Sequence, residues 1–94
     1  AEAKAYYLGA AFPVGSPIEG LTLEDRPFAV PKGAQGHIVQ LHTSGTGKAH
    51  NDLLALQAKK KNHRLVCIDG ELLLLPRKPV LAWATAAQAE MQVA

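Results

Sequence analysis

The chain is 94 residues long, with ten Lys and Arg against eight Asp and Glu and a formal charge of +2 when its four His are neutral. That length supports one small domain with a modest core, and the charge balance is too even for a histone-like or polybasic binder. Apolar residues at 48% and charged residues at 19% exclude a disordered chain, and a lone cysteine, Cys67, excludes an internal disulfide framework or a multi-cysteine zinc site.

No apolar run approaches the length of a membrane span, so no membrane partner is expected. The start, Ala1-Glu2-Ala3-Lys4, lacks the apolar stretch of a secretory signal. The expectation is a cytoplasmic protein whose initiator Met was removed before a small residue.

Residues 1–36 are cut by Pro13, Gly15, Pro17, Gly20, Pro27, Pro31, Gly33 and Gly36 into pieces too short for a long helix. They read as an extended Pro/Gly-rich arm or as short, loosely paired strands around Ala5–Leu8, Leu21–Leu23 and Phe28–Val30. The last of these, flanked by Pro, suits a sheet edge. Adjacent Tyr6 and Tyr7 would point to opposite faces of a strand, one toward a core and one outward.

From His37 to His42 the apolar residues Ile38, Val39 and Leu41 predict a short buried strand. A turn cluster, Thr43-Ser44-Gly45-Thr46-Gly47, follows. The spacing of Ala49, Leu53 and Leu56, widened by Leu54 and Ala58, predicts a helix from about Lys48 to Lys61. Next come an apolar run at Arg64–Ile68, the turn signal Asp69-Gly70, and a second run at Glu71–Leu75, together a hairpin. Neither run alternates with polar residues, so both faces of the sheet should be covered. Val80, Trp83, Ala84, Ala87 and Met91 predict a C-terminal helix over 80–93, with Pro79 in its first turn; Val80–Ala84 as a third strand is the alternative.

The fold expected is α+β over residues 1–94 as a single domain. Its core is a small mixed sheet with a β-α-β-hairpin unit (37–75), in which the helix makes a right-handed crossover between parallel strands. The arm precedes this unit and the C-terminal helix follows it.

The loop Ser44, Gly45, Gly47 and Lys48, between a strand and a helix, has the makings of an anion cradle. It departs from the Walker A pattern twice, with His42 where Gly is required and Ala49 where Ser or Thr is required. It is similar to the Thr-Ser-Gly-Thr-Thr-Gly-Lys loop of adenylate-forming enzymes with one Thr missing, but over too few residues to identify a family. The densest basic run is Lys59, Lys60, Lys61 and Arg64, which Arg77 and Lys78 could join. With the loop it makes nucleic-acid or phosphate-ligand binding the alternative function.

His37, His42, His50 and His63 form no tight ligand pair and read as surface residues, Cys67 reads as a core residue, and there is no G-x-S-x-G elbow. No catalytic residue, metal centre or cofactor is expected. Leu72–Leu75 cannot all face one core, and from Leu81 onward the only charged side chain is Glu90. This apolar excess predicts a non-catalytic interaction or assembly protein, acting by self-association or by docking on a larger protein complex. Leu74, Trp83 and Met91 are the expected interface.

Overall fold

The computed structural model describes residues 6–42 and 47–93, with side chains through residue 88. The elements in chain order are β1 (Tyr6–Pro13), β2 (Ile18–Thr22), β3 (Pro27–Val30), β4 (Gln35–Leu41), α1 (Lys48–Lys59), β5 (His63–Ile68), β6 (Glu71–Pro76) and α2 (Arg77–Val93). The strands form one six-stranded sheet in the order β1-β4-β5-β6-β2-β3, and every pairing is antiparallel. The domain is therefore α+β, with a helix at its C-terminal end.

One expectation is corrected by this topology. The sheet is antiparallel, not mixed: β5 runs back beside β4, with His37 opposite Cys67 and Ile38 opposite Val66. A helix-length connection can serve either direction. Here α1 leaves and the chain returns at the same end of the sheet, so no parallel crossover forms. The Pro/Gly-rich segment, expected as an extended arm or as short, loosely paired strands, takes the second form. Its prolines and glycines punctuate three strands, of which β1 pairs with β4 and β2 with both β6 and β3.

Glycine and aspartate set two of the turns. Asp69 and Gly70, at φ 52° and 83°, join β5 to β6, as a two-residue turn with positive φ at both positions requires. Between β2 and β3 the Asp25 N–H donates to the Thr22 carbonyl, and Asp25 then takes φ 68°. Asp tolerates this left-handed conformation better than most residues do.

Strand periodicity distributes the apolar residues between two faces. Val66, Ile68, Leu73 and Leu75 join Phe12, Val14, Val30 and Ile38 beneath Val80 and Ala84 of α2. Leu65, Cys67 and Leu74 join Val39 on the other face beneath Leu53 of α1, with Leu56 and Leu72 alongside. The four consecutive leucines thus divide two and two, and each face has its own helix. Burying a leucine fully contributes about 1.5–3 kcal/mol.

The buried positions of α1 are His50 and Leu53, while Ala49, Leu54 and Ala58 are exposed. Its inward stripe is therefore rotated from the one predicted. His50 takes the place of an apolar residue because its ring finds an acceptor: Nε2 donates to the His42 carbonyl at 2.7 Å. Of the four histidines, this one is a core residue.

Candidate interaction surface

The predicted interface residues do not form one face. Leu74 is 1% exposed and packs in the cluster under α1. Trp83 lies across the sheet, half-buried against Phe12. The side chain of Met91 lies outside the described ones. Strand alternation separates Leu74 from Trp83, and each is covered from within the chain. The cover for Trp83 comes from the N-terminal segment: a Cβ added at Gly15 would sit 2.6 Å from its Nε1.

The basic residues also disperse. Ser44 and Gly45 lie outside the described residues. Gly47 stands at the N-cap position of α1 with φ 104°, and no side chain caps the helix. Lys48, exposed in the first turn, donates to Asp52 at 2.9 Å. The Asp52 carboxylate, through that hydrogen bond and then its charge, raises the Lys48 pKa.

Lys59, Lys60 and Lys61 stand at the far end of α1, about 16 Å from Lys48 at 1.5 Å per residue. Lys60 is paired with Asp25 at 2.8 Å, pinning the end of α1 to the β2–β3 turn. Hydrogen bonding by Lys60, followed by its charge, holds the Asp25 carboxyl below the ordinary carboxylate range. Arg64 is half-buried at the start of β5, opposite Leu75. It is directed away from the α1 face, because Val66 and Ile68 share its side of the strand. The loop and the basic run therefore do not converge.

The surface that sequence reasoning missed is the edge of the sheet at β1. The two edges are β1 and β3. β3 is four residues long and bounded by Pro27 and Pro31, with Arg26 and Lys32 just beyond, all features that blunt an edge. β1 is eight residues long and uncharged, and no charge follows it until Glu19.

Tyr7 is 49% and Leu8 48% exposed on this edge, the two highest values among the large hydrophobic residues described. Tyr6 packs on the cluster beneath α1, while the Tyr7 ring lies 5.3 Å from that of His42. A cleft of about 360 Å³ opens between Tyr6, Tyr7, Leu8, Cys67 and Gly70. An irregularity between Leu8 and Ala11 interrupts the β1–β4 register, and His37 Nδ1 lies 3.4 Å from the Gly9 carbonyl there. The signal available in the sequence was the absence of charge from Tyr6 to Ile18. Its meaning depends on β1 being an edge.

Among the described residues no group of three potential ligands is placed to hold a metal ion, and no helix is long and apolar enough to cross a membrane. Cys67 is buried. No family model matches the chain, and comparison with curated proteins and with solved structures gives no significant match.

Proposed function

We propose that this chain is a non-catalytic assembly protein that self-associates by pairing β1 of one copy with β1 of a second. The observation that carries this reading is the contrast between the two edges: β3 is short and flanked by Pro, whereas β1 is long, uncharged and bears exposed Tyr7 and Leu8. An apolar edge strand is a template for another strand, and soluble proteins normally cover or charge it.

A second copy is the favoured occupant because an uncharged strand pairs antiparallel with itself without bringing like charges together. Main-chain hydrogen bonds then supply the association, and Tyr7 and Leu8 leave water at the contact. Two six-stranded sheets become one continuous sheet.

The test is light scattering after size exclusion, on the wild-type chain and on Leu8→Lys. The reading expects a dimeric wild type and a monomeric variant with the same circular dichroism. A wild type that stays monomeric at the highest concentration reached, or a dimer indifferent to Leu8→Lys, overturns it. In the monomeric case the edge is left to a different protein as partner.

A further inference from the structure

We propose that Arg64 and Arg77, with Lys78, form a binding site for a phosphate group where β5, β6 and α2 meet. The site is separate from the β1 edge and does not depend on self-association. It begins with a feature of connectivity: β6 ends at Pro76 and α2 starts at Arg77, with no loop between them.

The Arg77 N–H donates to the Asn62 carbonyl at 3.0 Å, which fixes the start of α2 two residues before Arg64. Arg64 stands opposite Leu75, two residues before Arg77, with its side chain on the α2 face. Two groups that remain cationic at any ordinary pH are thus placed as neighbours. Burial, and then the charge of Arg77, lowers the Arg64 pKa. Its Nε is buried with no hydrogen-bond partner among the described residues.

Five of the six acids among the described side chains are engaged or directed elsewhere. Asp25 is paired with Lys60, and Asp52 with Lys48. Asp69 and Glu71 are at the opposite end of the β5–β6 hairpin. Glu19 lies two residues before Leu21, which packs in the α1-side cluster, so its side chain points to the other face of the sheet. The first turn of α2 contains no acidic residue either.

A ligand with several anionic oxygens would neutralise both guanidiniums and face the positive end of α2. A phosphate suits this better than a carboxylate. It has oxygens for donors arriving from β5, from Arg77 and from Lys78, and it carries the larger charge. Arg77 and Lys78 are exposed, so the phosphate can be free or carried by a larger molecule, including a nucleic-acid strand.

The experiment is an amide NMR titration with inorganic phosphate and, separately, with a short oligothymidylate, using chloride at matched ionic strength as the control. Saturable shifts at residues 64, 77, 78 and 80 are expected. Arg77→Gln, on an exposed side chain, and Arg64→Met should each weaken binding about tenfold or more, a loss of the size expected for a charge-assisted contact.

Exposed Lys59→Gln should leave binding unchanged. Tighter binding of the oligonucleotide assigns the phosphate to a nucleic-acid backbone, and equal or weaker binding assigns it to a small ligand. Absence of saturation with both probes overturns the proposal. So does a Lys59→Gln loss equal to that of Arg77→Gln, which would mean diffuse attraction to the basic surface.

Discussion

Trp83 of α2 stacks on Phe12 of β1, with ring centroids 6.3 Å apart and ring planes 21° from parallel. The contact joins the last element of the chain to the first, and it explains how a helix with so little charge is covered. Trp83→Ala should lower unfolding stability by about 2–4 kcal/mol, toward the lower end for large aromatic truncations because the ring is only half-buried. Urea denaturation measures this. The mass in solution should not change; a changed mass at unchanged stability would return Trp83 to an interface.

Leu74 and Leu8 should respond in opposite ways. Leu74 is enclosed beneath α1, so Leu74→Ala should cost about 2–5 kcal/mol and leave the residual folded protein's association state as it was. Leu8→Lys lies on the exposed edge and should change association with little effect on monomer stability. Chemical denaturation and light scattering on the same two variants separate packing from pairing.

The Asp25–Lys60 pair predicts a defined acid response. Lys60 depresses the Asp25 pKa in the folded chain below its ordinary value of 3.8. Stabilisation from the pair is therefore present above the unfolded-state value and is lost as the pH falls through the lower folded value. Below pH about 4, the wild type should lose stability relative to Lys60→Met, and the two curves should run parallel at neutral pH. Both partners reach solvent, so the difference should be small and should shrink in high salt. Thermal melts between pH 2 and pH 6 test the sign.

The position of Asp25 adds a backbone prediction. At φ 68° a β-carbon is strained, and glycine is not. Asp25→Gly should therefore melt above Asp25→Ala although both lack the carboxylate. Equal melting temperatures would show that the turn relaxes without cost.

Local features of this protein were legible in its residues. Asp69-Gly70 between two apolar runs needs only chain neighbours to make its turn, and the period of Val80, Trp83, Ala84 and Ala87 predicted a C-terminal helix, which α2 matches apart from starting three residues earlier. The unbroken apolar character of β5 and β6 likewise implied cover on both faces, which α1 and α2 provide.

Direction and neighbourhood were decided only in three dimensions. The spacing between β4 and β5 allows a parallel or an antiparallel pair, and the structure takes the antiparallel one. β1 and β2 are consecutive in the chain but lie far apart in the sheet, because β4 and β6 offer the edges they pair with. That placement puts Phe12 under Trp83 and leaves Tyr7 and Leu8 on an edge. It also sets Arg64 against Arg77 while Lys48 stands at the other end of α1, so only part of the basic set named from the sequence comes together. Periodicity reports which way a side chain points from its own element, whereas the identity of what it meets depends on contacts between residues remote in sequence.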